Sequence, residues 1–417
     1  MSLPSAPSHG LLPRRRPASL SKFGGNEKPA SLVGALRLAL SNSDVRVAWT
    51  KYKQLHSFTH NLNQSPSTND PTLLLSAHDH ARLLAALTQH LRPSVAVVHA
   101  EMIVLNMKRA GIPLDVRDFN NLILIYARNE DLRSAVETFD ALLSQKPLPP
   151  LRNRVSTLPP PTTPITPISP FRPVVPNLRS FHLLMSAYAH TGRVSETAAT
   201  FNHLTKLYPT AANDPTAYSL LLTSYTTTSR RTPQDLAHVS TLFDAFNSFG
   251  TPDRRVLDAA VRAFGVCGDL PRAHTLFRSY DSVYGIPQYS VDSIDAYMSV
   301  LEVHGDMEAA ESLYVRFFSP TNNKSKYNLG FPLAATFKSL MRLNLAAGNL
   351  DRVKQLFGEY KETQLVDAQG MEILLDVWLT EGNVEEADKV YEEMQVLGYK
   401  IRSETVKKME RARDSLM

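Results

Sequence analysis

One cysteine, Cys267, stands in the 417 residues, so no disulfide can close within the chain and a reducing interior suits it best. No apolar run approaches the roughly 18 residues a membrane-spanning helix requires. A phosphate-cradling loop is missing, because Gly24-Gly25 lacks the Gly-Lys-Ser/Thr continuation. Metal-ligand spacing is absent too. His78-Asp79-His80 is the tightest histidine and carboxylate cluster, and on a helix its two histidines point about 200° apart. Cys267 with His274 has no further cysteine to complete a zinc site. These absences argue against an enzyme, a metal and a cofactor. Acidic residues are missing altogether from Ala141 to Ser195, which sets that stretch apart from the rest.

What is present is a core-building composition, 43% hydrophobic and 20% charged, with a formal charge of +5 and a pI near 9.1. The charge leans mildly toward acidic partners such as nucleic acid. The clearest pattern is MEILLDVWLTEGNVEEADKVYEEMQVLGY, Met371 to Tyr399. Ile373, Leu374, Val377 and Trp378 give one helical stripe, Gly382-Asn383 breaks it, and Val384, Ala387, Val390, Tyr391 and Met394 give a second. Neither stripe can be buried without neighbours of the same kind.

The unit recurs. Gly382 is followed by Ala387 and Tyr391, and the same offsets join Gly348 to Val353 and Phe357, Gly305 to Ala310 and Tyr314, Gly268 to Ala273 and Phe277, and Gly192 to Thr197 and Phe201. The unit between Gly192 and Gly268 has Gln234, Val239 and Phe243 at the three places. Ser43, Ala48 and Tyr52, and Glu130, Ala135 and Phe139, fill them earlier in the chain. A period of 34 to 43 residues built of paired helices predicts an all-α solenoid, a right-handed superhelix of about eight or nine hairpins in one extended array. The aromatics nine residues after each turn are expected in the core between repeats.

Residues 1–29 form a basic tail with Arg14, Arg15, Arg16, Lys22 and Lys28 against Glu27. It reads as a mitochondrial transit peptide, although Pro4, Pro7, Pro13 and Pro17 interrupt the helix such a peptide needs, and a disordered tail is the alternative. Residues 30–145 hold the N-terminal repeats, with helix pairs over Ser31 to His56 and His78 to Ala110 and a polar loop from Ser57 to Pro71. Residues 146–176 are a basic insertion with eleven of the chain's 28 prolines, extended or disordered. Residues 177–402 are the main array, with units starting near Leu178, Pro215, Arg254, Val291, Ala334 and Ala368. Ser319 to Pro332 is a second insertion. Residues 403–417 read as a helix able to cap the array.

Phe119-Asn120-Asn121-Leu122, the turns Gly192-Arg193-Val194, Gly268-Asp269-Leu270, Gly305-Asp306-Met307, Gly348-Asn349-Leu350 and Gly382-Asn383-Val384, and the Met107 to Asp115 ending together resemble the pentatricopeptide repeat family. The Trp-x2-Leu-Gly-x2-Tyr start of tetratricopeptide repeats is absent. The resemblance implies a non-catalytic mitochondrial protein that binds single-stranded RNA, one nucleotide per repeat, along the concave face of the first helices. In the family the residue after the first-helix aromatic reads the base together with the last residue before the next repeat. Carried over, these couples are Asn120 with Asn177, His182 with Asp214, Ser219 with Asp253, Asp258 with Ser290, Asp295 with Leu333, Lys338 with Asp367, and Glu372 with Arg402. Acids at Asp258, Asp295 and Glu372 oppose a polyanion. Arg117, Arg179 and Arg255 are candidates to hold phosphate or stack on bases. The implied role is transcript stability, processing or translation. The alternative is a protein-interaction scaffold, such as a mitochondrial ribosome or respiratory-complex assembly factor.

Overall fold

In the computed structural model the chain is all-α, built from helices packed in sequential pairs. The structure describes residues 29–61, 75–90, 93–144, 174–228, 232–250, 253–280, 289–318, 329, 331–363, 365–397, 399 and 401–414. The basic tail before Pro29, most of the Pro-rich insertion and most of the second insertion therefore lie outside the described residues. The helices fall into two units.

The first unit contains α1 (Pro29–Ser41), α2 (Val45–Asn61), α3 (Ala77–His90) and α4 (Pro93–Arg109). Helices α1 and α2 pair, α3 and α4 pair, and α3 lies on both members of the first pair. Leu32, Leu36, Ala48, Trp49, Tyr52 and Leu55 are buried, as their helical spacing demands. Asn106 of α4 donates to the buried Tyr52 hydroxyl at 2.8 Å. Arg37 of α1 grips Asp79 of α3 through two bonds of 3.0 and 2.8 Å. Asp79 also accepts from Ser76, and His80 faces the Ser76 carbonyl, so these two members of the His78 cluster serve the α3 N-terminus. The loop expected from Ser57 starts later than its composition suggested, because α2 runs to Asn61. Ser57 to Asn61 contains neither proline nor glycine, and an established helix propagates through merely polar residues.

The second unit opens with α5 (Val116–Arg128) and α6 (Leu132–Ser144), then α7 (Leu178–His190) and α8 (Val194–Leu207). After a 3-10 turn at Pro209–Asn213 come α9 (Pro215–Thr226) and α10 (Pro233–Asn247), then α11 (Arg254–Val266) and α12 (Leu270–Arg278). The remaining pairs are α13 (Val291–His304) with α14 (Met307–Phe318), α15 (Ala334–Ala346) with α16 (Leu350–Glu362), and α17 (Ala368–Thr380) with α18 (Val384–Val396), followed by α19 (Ser403–Asp414). Each odd-numbered helix from α5 to α17 packs on the next odd-numbered one. Each even-numbered helix wedges between its own partner and the helix that follows. One layer of first helices is thus backed by a layer of second helices, the nearest-neighbour arrangement of a solenoid.

The recurring aromatics bridge successive repeats inside that sandwich. Phe139 meets Phe181 edge-on at 5.1 Å, Phe201 meets Tyr218 at 5.4 Å, Phe243 meets Phe264 at 5.7 Å, and Phe277 stacks on Tyr297 at 4.4 Å. The turns between paired helices require a left-handed residue, and Gly192, Gly305, Gly348 and Gly382 sit at φ 68°, 69°, 78° and 73°. Glu130 takes the same conformation at φ 59° without being glycine. Gln234 departs from the expected place. A capping box between Thr232 and Asp235, with Pro233 at the first helical position, starts α10 upstream and draws Gln234 into the helix.

Candidate nucleic-acid interface

The first helices of the second unit share one register. Asn120, His182, Ser219, Asp258, Asp295, Lys338 and Glu372 are each the fifth residue of their helix, in α5, α7, α9, α11, α13, α15 and α17. Asn177, Asp214, Asp253, Ser290, Leu333 and Asp367 are N-caps of the first helix that follows. Stacking of the first helices therefore sets the fifth residue of one against the N-terminus of the next.

Capping uses part of each N-cap side chain. Asn177 Oδ1 accepts from the Ser180 amide at 3.1 Å, Asp214 Oδ1 from Thr216 at 3.0 Å, Asp253 Oδ1 from Arg255 at 2.9 Å, and Asp367 Oδ1 from Gly370 at 2.9 Å. Such caps contribute about 1 kcal/mol each. For a carboxylate the second oxygen is left to face sideways. Asp214 Oδ2 meets His182 Nε2 in a very short contact, and Asp367 Oδ2 accepts from Lys338 Nζ at 2.6 Å. Asn120 Nδ2 donates to Asn177 Oδ1 at 3.3 Å. These two residues meet although the Pro-rich insertion separates them in sequence. Glu372 and Arg402 also come together, through Arg402 Nε at 2.6 Å and a second, shorter guanidinium bond.

Three other sequence couples do not bond to each other among the described residues. Ser219 donates to the Thr216 carbonyl at 2.8 Å, whereas Asp253 is taken by Arg255. Asp258 accepts from Tyr280 at 2.9 Å and has Ser293 as a second partner, while Ser290 serves its own capping box. Asp295 accepts from Arg262 at 3.0 Å and from Thr336 at 3.0 Å, leaving Leu333 as a cap without a side-chain bond.

The acids expected to repel a polyanion are thus turned into the protein. Glu372 is 4% exposed. Burial raises its affinity for a proton, but the Arg402 bonds outweigh that and hold its carboxyl below the usual range. Burial pushes Asp258 up to about 6, against the lowering pull of Ser293, Tyr280 and Arg254. Burial likewise raises Asp295 despite Arg262. Asn120 is also buried, and its own Oδ1 has no partner, an unusual state for an amide oxygen.

Arg117, Arg179 and Arg255 are exposed at the second position of α5, α7 and α11. A cation there opposes the helix macrodipole by about 0.3–1 kcal/mol, so local stability does not favour them. Arg255 lessens that cost by chelating Asp253 and reaches back to Thr216 of α9 at 3.1 Å. In α13 the same position holds the exposed Asp292.

Sequence reasoning found the register but missed the capping role of its second member. That signal was readable, since Asn, Asp or Ser stands immediately before most of these helices. The partners Tyr280, Arg262, Thr336 and Thr405 gave no such signal, because Tyr280 meets its acid only when α12 folds back on α11, and the others theirs through the stacking of repeats.

Two family profiles match the chain: the pentatricopeptide repeat domain over residues 102–150 and the PPR repeat over 373–399. Among solved structures, the pentatricopeptide repeat protein PPR10 from maize is similar over 94% of this chain and 47% of its own length, at 16% identity and a TM-score of 0.50. A second structure, of PPR10 in complex with an 18-nt psaJ RNA element, is similar over 93% of this chain and 52% of that one, at 15% identity and a TM-score of 0.45. The chain therefore spans about half the length of the solved structures it resembles. No curated protein matches its sequence.

Proposed function

We propose that this chain, a pentatricopeptide repeat protein, binds single-stranded RNA along the edge where the fifth residue of each first helix meets the N-cap of the next. The observation that supports this most directly is the shared register of the seven first helices from α5 to α17, each with the candidate residue in its fifth position. Successive repeats there present polar side chains at a regular interval, and unpaired bases offer edges that a few such groups can address. The bound RNA is a mitochondrial transcript whose stability, processing or translation the protein serves without catalysis. The basic, acid-poor composition of residues 1–29 supports that location. The test is crosslinking of RNA to the protein in purified mitochondria, followed by sequencing. A discrete footprint on one or a few transcripts is the expected result. Recovery of proteins with no enriched RNA would overturn the reading in favour of a scaffold for ribosome or respiratory-complex assembly.

A further inference from the structure

We infer that the first unit docks on an anionic lipid surface through the end of its helix pairs where Leu38, Val47 and Val95 emerge beside Arg46, Lys53 and Arg82. The inference is independent of the RNA-binding reading, which concerns the helices of the second unit.

Charge is unevenly placed along the chain. Residues 30–114 carry 8 Lys and Arg against 4 Asp and Glu, whereas residues 115–417 carry 32 against 35. Beyond the tail, the net positive charge therefore belongs to the first unit. Helix α2 holds Arg46, Lys51 and Lys53 and no acid. Arg46 and Lys53 are exposed and make no ion pair or side-chain hydrogen bond among the described residues. Arg82 of α3 reaches only the Ser41 hydroxyl, at 3.4 Å, and also makes no ion pair among them. The acids nearby are already engaged. Asp44 accepts from the Val47 amide at 3.0 Å, and Asp79 is gripped by Arg37.

Three aliphatic side chains share this end of the unit. Leu38, Val47 and Val95 are 63%, 43% and 38% exposed. Leu38 and Val47 flank the α1–α2 turn, where the Asn42 amide donates to the Leu38 carbonyl at 3.0 Å. Trp49 and His99 stack at 3.6 Å and fasten α2 to α4 near their starts. Val47 and Val95, each the third residue of its helix, are thereby brought to the same end. Burial holds the His99 ring down to about 4, and the charge of Lys53 adds to the shift, so that ammonium stands on the α4 side of α2. Aliphatic groups among Lys and Arg suit the boundary between headgroups and acyl chains, where the carbons leave water and the cations meet lipid phosphates. A single-stranded nucleic acid would call for rings on which bases stack, and Trp49 and Tyr52 of this unit are buried.

The experiment is cosedimentation of the full chain with vesicles of phosphatidylcholine, alone or with about one-third phosphatidylglycerol, at about 0.1 M salt. Saturable binding to the anionic vesicles and none to the neutral ones is expected. Each basic side chain near such a surface contributes roughly fivefold in affinity, so Arg46→Gln with Lys53→Gln and Arg82→Gln is expected to lose at least about tenfold. Leu38→Ser with Val47→Ser is expected to lose a comparable amount. The tail variant Arg14→Gln, Arg15→Gln, Arg16→Gln is expected to keep saturable binding. A second readout is local and does not depend on comparing the folding of variants in bulk. Val47→Cys in a Cys267→Ser background, labelled with a nitrobenzoxadiazole dye, is expected to shift to the blue on anionic vesicles, and the same dye at Gln395→Cys in α18 is expected to shift less. No saturable binding to anionic vesicles, equal binding by parent and patch variants, binding lost with the tail arginines alone, or a dye shift at residue 395 without one at residue 47 would each overturn the inference. So would a loss of RNA affinity in the patch variants without vesicle binding, which would assign this surface to nucleic acid.

Discussion

Asp258 sits where water reaches poorly, with Tyr280 and Ser293 as its partners. Burial is the largest influence and lifts its carboxyl from an ordinary 3.8 to about 6. Between those values the folded chain binds a proton that the unfolded chain releases, so this residue's contribution to stability falls as pH rises from about 4 to 6 and stays reduced above. At neutral pH the penalty is on the order of 2–3 kcal/mol. Asp258→Asn keeps an acceptor for the Tyr280 hydroxyl and removes the ionisation. It is expected to raise stability at pH 7.5 by about 1–3 kcal/mol, with the gain shrinking toward zero at pH 4. Urea melts at both pH values test this, and an equal shift at the two would refute it. The case also shows what single residues disclose in sequence. Asp258, Asp295 and Glu372 were recognisable as acids in the reading register, but their direction was not, because Tyr280 approaches from the far end of the same hairpin and Arg262 and Arg402 from outside it. Four of the sequence couples do meet in space, including Asn120 with Asn177 across the insertion.

The helical hairpin was the most legible element, since its turn imposes a backbone conformation that leaves a residue-type mark. Starts at Leu178, Pro215, Arg254, Val291, Ala334 and Ala368 coincide with the observed helices. All but Ala334, which follows Leu333, are preceded by an Asn, Asp or Ser cap. Where such marks compete, as with Thr232 and Pro233 ahead of Gln234, the cap decides the boundary and the period misleads. The turn glycines are not equivalent, and the difference is measurable. Gly348 at φ 78° has open space where a Cβ would lie, so Gly348→Ala is expected to cost about 1–2 kcal/mol from left-handed strain alone. At Gly192, with φ 68°, a Cβ would lie 2.9 Å from the Thr227 carbonyl oxygen, which belongs to backbone and cannot turn aside. Gly192→Ala should therefore cost clearly more, about 3 kcal/mol or above, and equal losses in denaturant melts would refute the contact. By the same reasoning Glu130, left-handed at φ 59°, is strained. Glu130→Gly is expected to gain about 0.5–1 kcal/mol, or to break even if the flexibility added to the unfolded chain offsets the relief.

At the scale of the molecule, the second unit has contacts between neighbours and no centre, so a local defect should stay local. Helix α19 lies on α17 and α18, with Met409 buried at 1% exposure and Arg402 bridging to Glu372 beneath it. Arg402 is itself largely exposed, so solvent screening limits the direct worth of the ion pair. Its removal matters through Glu372, which would be left buried with only the residue-402 amide and Thr405 as partners and would be driven to take up a proton. Arg402→Ala is expected to lower amide protection in α17, α18 and α19 while leaving α7 to α11 unchanged, as read by hydrogen exchange with mass spectrometry at pH 7. Lowering the pH toward 5 should narrow the difference from the parent, because protonation then relieves Glu372 in the variant whereas the paired Glu372 of the parent stays ionised. Loss of protection spread evenly over α5 to α19 would mean that the unit unfolds as one cooperative body, and the nearest-neighbour picture would have to be abandoned.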